Sequence, residues 1–191
     1  DHFEGIDAPF DFGLVKGTGY VDIKEFVSAM RAELAMSECF NAEPFDHGAL
    51  TFADGYVTYK GLKAAHIVFA EGYGLKQNPF FNWLPLDGTK GEVLVVKAPG
   101  LKLAEAIVKA NVFVVPLGND LFKVGATYAP WDKSPEPTDK GRQELIAGLE
   151  QLLSVPFEVV GHEAGMRPTV KDRRPLIGTH PDNRSMHIIN G

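Results

Sequence analysis

Residues 165–178 read GMRPTVKDRRPLIG, and this stretch is the most unusual in the 191-residue sequence. Glycine and proline flank Arg167 closely, so its backbone is tightly placed and not helical. A guanidinium positioned in this way matches a carboxylate in a bidentate manner, which both binds and orients the anion. The residues alone leave an alternative open, in which Arg167 pairs with Glu163 or Asp172. Arg173 and Arg174 are expected to be solvated or paired with carboxylates.

Composition excludes several functional classes. The chain carries 19 Lys and Arg against 25 Asp and Glu, a formal net charge of -6. Broad nucleic-acid binding relies on clustered Lys and Arg, so no nucleic-acid partner is expected. The single cysteine, Cys39, excludes an internal disulfide and a cysteine-based zinc site, and the scattered histidines predict no metal site. No apolar run approaches the roughly 20 residues that span a bilayer, so we expect a cytoplasmic protein.

Apolar periodicity predicts two helices. The first runs from about Asp22 to Glu38 and carries an apolar stripe of Ile23, Phe26, Val27, Met30 and Leu34. Asp22, followed three residues later by Glu25, fits a capping box. The second helix begins after Thr138, a suitable N-cap residue, and continues to about Leu153.

Short strands are predicted at 49–52, 56–60, 64–70, 92–97, 112–117, 121–127, 157–162 and 186–189. Asp54-Gly55 predicts a hairpin between the first two, and residues 118–120 predict another. Residues 64–70 are apolar on both faces, which is typical of a covered central strand in a parallel sheet. His66 lies in this run, where a packed or hydrogen-bonded histidine is favoured. Strands with two helices indicate an α+β (mixed α/β) fold.

Motif searches exclude several enzyme classes. Gly17-Thr18-Gly19 does not continue into a dinucleotide-binding fingerprint, and residues 88–91 match only half of a phosphate-binding loop. His162-Glu163 begins like a zinc-protease helix, but Met166 stands where the second histidine is required. No serine lies in a Gly-x-Ser-x-Gly elbow.

The ordered series of stretches resembles the D-amino-acid oxidase family of FAD enzymes, which includes glycine oxidase, sarcosine oxidase and D-amino-acid dehydrogenase. Residues 165–178 resemble its carboxy-terminal motif most specifically. Residues 20–22 resemble its entry into a helix, and residues 67–72 its apolar strand ending in Ala-x-Gly. Residues 84–92 and 114–138 resemble parts of its substrate domain. Glu71 departs from the pattern, since a small residue is commoner there.

The resemblance implies an antiparallel-sheet substrate domain plus a partial FAD-binding domain of the glutathione-reductase-like type. Residues 1–78 would be a mid-chain segment of the FAD-binding domain, with a helix, a hairpin and a central strand. Residues 79–155 would form the substrate-binding domain, and residues 156–191 would return to the FAD-binding domain. The βαβ unit that holds the FAD pyrophosphate in this family is missing. We therefore expect a fragment, truncated at both ends, that is inactive alone and lacks bound FAD.

The resemblance also implies an activity: oxidation of the C–N bond of a small amino acid or amine by hydride transfer to FAD. Arg167 would hold the substrate carboxylate. Tyr128, which with Trp131 flanks a turn, would be a second substrate-binding residue, although the residues alone equally allow both aromatics to cover the core. No general base is assigned. The residues expected near FAD are Phe45, Gly72, Gly165, Met166 and Gly191.

Two alternatives to this activity stay open. A flavoenzyme of the same fold would act on a different substrate, such as glycerol phosphate or a modified tRNA base. A non-catalytic interaction domain would bind carboxylates in the same Arg167 pocket without a cofactor. The sequence does not decide between oxidase and dehydrogenase, or between a monomer and a homo-oligomer.

Overall fold

The computed structural model describes residues 3–191. Within them there are two α-helices and eleven β-strands, and the strands form three sheets. This arrangement confirms the mixed α and β class expected from the sequence. In this part of the chain, no helix combines the length and apolarity that a membrane crossing requires.

The first third of the chain forms one helix and a small antiparallel sheet. Helix α1 covers Ile23–Met36, and the Asp22 carboxylate caps it by accepting a hydrogen bond from the Glu25 backbone N–H at 3.1 Å. Asp54 and Gly55 turn the chain between the first two strands with φ values of 53° and 76°, the left-handed geometry of a tight hairpin. The strands are β1 (Leu50–Ala53), β2 (Tyr56–Tyr59) and β3 (Leu62–Ala64).

The largest sheet is formed by the middle of the chain and follows β4 (Ile67–Phe69) in sequence. Its spatial order is β6-β7-β8-β5-β9, and every neighbouring pair is antiparallel. The strands are β5 (Leu86–Lys97), β6 (Val108–Lys109), β7 (Phe113–Gly118), β8 (Leu121–Gly125) and β9 (Glu158–Val170). Helix α2 (Asp139–Glu150) begins at Thr138, whose hydroxyl accepts a hydrogen bond from the Gly141 N–H, as expected for this N-cap.

A third sheet joins distant parts of the sequence. Strand β10 (Leu176–His180) pairs antiparallel with β11 (Asn183–Asn190), and β11 pairs parallel with β4. Met186 of β11 lies opposite Ile67 of β4. The parallel pairing of the 64–70 region agrees with the sequence prediction, although only its second half is a strand within this sheet.

Two hydrophobic cores lie at opposite ends of the β5–β9 pair. The larger core lies between the five-stranded sheet and α2, and it contains Leu94, Val96, Leu145 and Leu149. The smaller core contains Leu86 of β5 with Phe69, Leu75 and Ile188. The two long strands therefore connect both cores.

Two features differ from the sequence predictions. Strand β9 continues to Val170, well beyond the predicted end at residue 162, so the Arg167 segment is part of the strand. Pro168 is tolerated because β9 is an edge strand, where a missing N–H need not face a neighbour. Strand β4 is also an edge strand of its sheet as described, and Val68 is 57% exposed, so the expected covered central strand is wrong for these residues.

Helix α1 buries none of its residues. Its predicted apolar stripe is present but exposed, from 64% at Ile23 to 39% at Leu34. The periodicity thus predicted the helix correctly, while the described chain provides no cover for its apolar face.

A buried carboxylate ties α2 to the sheet. Glu92 of β5 accepts hydrogen bonds from the Thr138 backbone N–H at 2.9 Å, the Thr138 hydroxyl at 2.8 Å and His162 Nε2 at 2.8 Å. Burial by itself would raise the pKa of Glu92. The hydrogen bonds from Thr138 and His162, with the nearby Lys90 ammonium, outweigh burial, and the pKa is lowered. The Glu92 carboxylate also lies at the N-terminus of α2, where the partial positive charge of the helix dipole favours an anion.

Gly141 leaves the space that this carboxylate occupies. A Cβ atom added at Gly141 would lie 2.5 Å from Glu92 Cδ. Replacing an exposed helical glycine by alanine stabilises a helix by about 1 kcal/mol. We expect Gly141→Ala instead to destabilise the chain by about 1–3 kcal/mol, because the methyl group displaces a buried carboxylate from its donors. Urea unfolding of both proteins measures the difference.

The control is a double-mutant cycle with Glu92→Ala. Removing the carboxylate vacates the space, so Gly141→Ala in that background should cost little or should stabilise. An equal loss in both backgrounds would show that the contact with Glu92 is not the cause.

Candidate functional site

The β5–β9 pairing lines up polar residues on one face of the sheet. Asp87 lies opposite Thr169, Thr89 opposite Arg167, and Gly91 opposite Gly165. Because alternate residues of a strand share a face, these six positions lie on the same side. The Thr89 and Thr169 hydroxyls are hydrogen-bonded at 2.9 Å. This side of the ladder is therefore the place to look for a polar ligand.

Arg167 lies across Gly91 on this face. A Cβ atom at Gly91 would overlap the Arg167 guanidinium, so the absence of a side chain there makes room for the arginine. One guanidinium nitrogen, Nη1, donates to the Thr127 carbonyl at 3.3 Å. The residue is exposed, so the other donors of the guanidinium can reach a ligand.

The sequence alternative for Arg167 is not seen. Glu163 pairs with Lys24 at 3.2 Å, and the Asp172 carboxylate accepts from the Arg174 backbone N–H at 3.1 Å. Within residues 3–191, no carboxylate oxygen comes within the 4.0 Å of an ion pair with Arg167. The structure thus leaves this cation without an internal counter-charge.

Tyr128 follows Thr127 and lines a cavity of about 810 Å³, whose lining includes Pro168 but not Arg167 itself. Thr89, Thr169 and Gly191 also line this cavity. Two of the predicted ligand-contacting residues, Tyr128 and Gly191, therefore share one cavity. Trp131 is 74% exposed, so the reading in which both aromatics cover the core does not hold.

A buried lysine, Lys90, is hydrogen-bonded to the loop that follows Tyr128. Lys90 is fully buried and donates to Asp132 Oδ2 and to Ser134 Oγ, each at 2.8 Å. Glu92 Oε1 lies 3.7 Å from the same ammonium. The hydrogen bond to Asp132 raises the pKa of Lys90, and the bond from Lys90 lowers the pKa of Asp132 to about 2. Both groups are therefore charged around neutral pH.

A second, exposed lysine, Lys133, connects the same loop to β5. Lys133 donates to Asp87 Oδ1 at 2.8 Å and to the Pro130 carbonyl at 2.7 Å, and it also contacts the Gly88 carbonyl. Its hydrogen bond lowers the pKa of Asp87. Sequence reasoning missed both lysines as site-forming residues. The signal was present in part, since Lys90 and Glu92 are charged residues next to an apolar strand.

Two of the three predicted cofactor-contacting glycines, Gly72 and Gly165, have open surroundings. Beside Gly72, with a φ of 57°, and beside Gly165, an added Cβ would meet no heavy atom within 4 Å. Asn190 Nδ2 donates to the Gly72 carbonyl at 2.9 Å, which brings the end of β11 and Gly191 to this loop. These backbone surfaces are accessible to a flat ligand.

The Met166 side chain lies on the face of the ladder opposite to Arg167. Its side chain lies over Gly88, where an added Cβ would be 2.6 Å from both Met166 Sδ and Tyr73 Cε2. Strand alternation therefore turns this side chain away from Arg167. Only the Met166 backbone is left for a ligand on the Arg167 face.

Phe45 lies in a separate aromatic cluster. Its ring stacks on Tyr59 at 4.5 Å between centroids and meets His47 edge-on at 5.3 Å. His47 Nε2 and Asn78 Nδ2 both hydrogen-bond the Glu71 carboxylate, at 2.8 Å and 2.7 Å. This pairing explains the acidic residue at a position where the family prefers a small one. No described contact joins Phe45 to the Arg167 face.

The two remaining histidine expectations have clear outcomes. His66 is hydrogen-bonded, since its Nδ1 lies 3.0 Å from His187 Nε2, and it is exposed and not packed in a core. His162 Nε2 is hydrogen-bonded to the Glu92 carboxylate at 2.8 Å.

Comparison with known protein families identifies the class to which this chain belongs. A model of the FAD dependent oxidoreductase family (DAO) matches residues 4–191, and the chain belongs to this family. The resemblance noted in the sequence is thereby confirmed.

Among its relatives, the chain is similar to glycine oxidases. That of Bacillus licheniformis is 32% identical over 140 residues, which are 68% of this chain and 37% of that protein. That of Bacillus subtilis (strain 168) is 26% identical over 204 residues, which are 96% of this chain and 55% of that protein. The chain thus spans only part of each relative.

A solved structure agrees in fold. The crystal structure of iminodiacetate oxidase from Chelativorans sp. BNC1 superposes with a TM-score of 0.68 at 22% identity. The match covers 87% of this chain and 48% of that chain.

The pKa of Asp132 predicts an acid-sensitive loop. Its lowered pKa means that the carboxylate stabilises the folded state above its ordinary value of 3.8, and this contribution is lost as the pH falls through about 2. Asp132→Asn should lower stability near neutral pH, because it removes the charge that pairs with the buried Lys90 ammonium at 2.8 Å and leaves only the more distant Glu92 carboxylate, at 3.7 Å. The same variant should lose less stability on acidification than the wild type.

Urea midpoints measured from about pH 7 down to about pH 2 check this. Glu136→Gln, at an exposed carboxylate, is the control and should follow the wild-type curve. Parallel curves for Asp132→Asn and wild type would mean that the ion pair with Lys90 does not stabilise the fold.

Proposed function

We propose that the full-length protein oxidises the C–N bond of a small amino acid or amine with FAD, and that Arg167 binds the substrate carboxylate. The observation that carries this proposal is the Arg167 guanidinium, which lies over Gly91 and has no carboxylate partner among the described residues. The family membership of residues 4–191 supports the redox class. The glycine oxidases similar to this chain support a small amino acid as substrate.

The described residues fit the ring side of FAD. Gly72, Gly165 and Gly191 present backbone without side chains, and the first two have open space beside them. A flat ring system can approach such backbone closely. The chain has no Gly-x-Gly-x-x-Gly turn for a pyrophosphate, so that contact belongs outside these residues. When bound, FAD supplies the acceptor for the hydride that leaves the substrate carbon.

The chain's own residues bind and orient the substrate. Arg167 would hold the carboxylate through two parallel N–H donors, which fixes the position of the adjacent carbon. Gly91 sets the depth of the guanidinium, and the Thr127 carbonyl fixes one of its nitrogens. Tyr128 would cover the cavity on the side held by Lys90 and Lys133. Our proposal includes no general base, since a neutral amine needs none for hydride transfer.

The division into domains is also proposed. Residues 1–78 and 156–191 would belong to a glutathione-reductase-like FAD-binding domain, and residues 79–155 to the substrate domain. The two separate cores support this division. Strand β9 refines it, because its pairing with β5 adds residues 158–170 to the five-stranded sheet.

Arg167→Ala in the full-length protein should weaken binding of a carboxylated amine by about 10- to 100-fold, because a charged hydrogen-bonded pair is lost. FAD content should stay at the wild-type level, since Arg167 does not hold the cofactor in this proposal. Rapid-mixing measurements of flavin reduction, at increasing substrate concentration, separate binding from the rate of reduction. Arg184→Gln, at an exposed arginine of β11, is the matched control.

Gly91→Ala supplies a second test with Arg167 still present. The added methyl would push the guanidinium off its position, so substrate binding should again weaken. Unchanged reduction kinetics in both variants would remove Arg167 from the substrate site.

A separate prediction concerns the 191-residue chain alone. Without a pyrophosphate-binding turn, we expect it to purify folded but colourless, and to lack the visible absorbance of oxidised flavin. A circular dichroism spectrum checks folding, and release of flavin by heat checks content. A stoichiometric yellow preparation would show that these residues suffice to hold FAD.

A further inference from the structure

Two histidine side chains meet on the sheet formed by β10, β11 and β4. His66 comes directly before β4, and His187 lies in β11, the parallel neighbour of β4. His66 Nδ1 lies 3.0 Å from His187 Nε2, and the ring centroids are 4.9 Å apart. His187 is paired with Val68, two residues after His66, and Val68 is 57% exposed. Because alternate residues share a face, both rings lie on the exposed face of this sheet.

A third residue supports His187 from the next strand. The Thr179 hydroxyl of β10 lies 2.9 Å from His187 Nδ1. With its proton on Nδ1, His187 donates to this hydroxyl and presents the lone pair of Nε2 toward His66. Histidines that bind metals generally have such a partner on their other ring nitrogen, which fixes the ring and its proton. His187 therefore has the second contact that a metal ligand requires.

The separation of the two nitrogens suits a metal ion that binds both. Bonds from a metal to imidazole are about 2.0–2.1 Å long, so two nitrogens at a right angle about the ion are about 3.0 Å apart. A tetrahedral angle would separate them by about 3.4 Å. The 3.0 Å between His66 Nδ1 and His187 Nε2 therefore favours the right angle. Square-planar and tetragonal sites with nitrogen and oxygen ligands are typical of Cu²⁺ and Ni²⁺.

The pair is accessible and lies apart from the candidate site. His66 and Thr179 are exposed, His187 is half-buried, and none of the three lines the cavity that contains Tyr128. Within the part of the chain that the structure describes, no group of three or more His, Cys, Asp and Glu side chains surrounds a metal position. Water would therefore occupy the remaining positions around an ion held by the two histidines.

We infer that His66 and His187 form a two-histidine site for a divalent transition metal, with Cu²⁺ bound more tightly than Ni²⁺ or Zn²⁺. The order follows from the general affinity series of these ions and from the right angle between the two nitrogens. The ion would replace the hydrogen bond between the rings and join β11 to the start of β4. The scattered histidines predicted no metal site, because these two are 121 positions apart in sequence.

The first test adds CuSO₄, NiSO₄ or ZnSO₄ to the metal-free 191-residue chain in a buffer that does not bind these ions. Competition with a chelating dye gives each Kd. His66→Gln and His187→Gln should each weaken Cu²⁺ binding by at least about tenfold, because one of two ligands is lost. His180→Gln, at a histidine of β10 outside the pair, is the matched control and should keep the wild-type Kd. The difference between the wild type and the two variants separates this site from other imidazoles in the chain.

The second test keeps both imidazoles. Thr179→Val removes the hydroxyl beside His187 Nδ1 and should weaken Cu²⁺ binding by about 10-fold, as expected for a partner of a metal ligand. Cu²⁺ should also raise the urea midpoint of the wild-type chain, with an increase that grows with the free metal concentration. This increase should disappear in the double variant of His66→Gln with His187→Gln.

Two results would overturn the inference. One is a Cu²⁺ affinity that stays the same in the wild type and in both single histidine variants. The other is tighter binding of Zn²⁺ than of Cu²⁺, which contradicts the right-angle geometry. None of these measurements involves flavin, so either result leaves the proposed oxidation untouched.

Discussion

The antiparallel pairing of β5 with β9 joins the two hydrophobic cores of this structure. Twelve residue pairs, from Leu86–Val170 to Lys97–Glu158, run from the smaller core to the larger one. Leu86 packs in one core, and Leu94 and Val96 pack in the other. A shift of one residue would move Arg167 to the opposite face. The pairing therefore fixes both the joining of the two cores and the direction of the arginine.

The two faces of this ladder differ in how their charged side chains are paired. On one face, Lys90 and Glu92 are buried and fully satisfied by Asp132, Ser134, Thr138 and His162. On the other, Arg167 has only a carbonyl partner among the described residues. Buried charges with good hydrogen bonds hold a structure in one arrangement, and an unsatisfied exposed cation is available to a ligand. The same two strands thus separate the structural charges from the candidate binding charge.

Local chemistry made the helices and hairpins predictable from sequence. Asp22 and Thr138 cap their helices as expected, and Asp54-Gly55 forms its turn, because these signals act within a few residues. The length of β9 was missed, because Gly165 and Pro168 oppose strand formation locally and only pairing with β5 overrides them. The ion pair of Lys90 with Asp132 joins residues that are 42 positions apart in sequence. No local pattern reports such a partner, whereas the proposal for Arg167 came from a motif that lies within one short stretch.

Gly91 and Arg167 occupy one shared volume, although they are far apart in sequence. Gly91 therefore cannot gain a side chain while the Arg167 guanidinium stays in place. A side chain at 91 is compatible with the fold only if the residue at 167 becomes shorter or turns elsewhere. Among homologous proteins, we expect these two positions to be replaced together, so that a lineage that abandons the arginine also regains freedom at the glycine. The loss of this anion contact would then leave a recognisable pair of substitutions in an alignment.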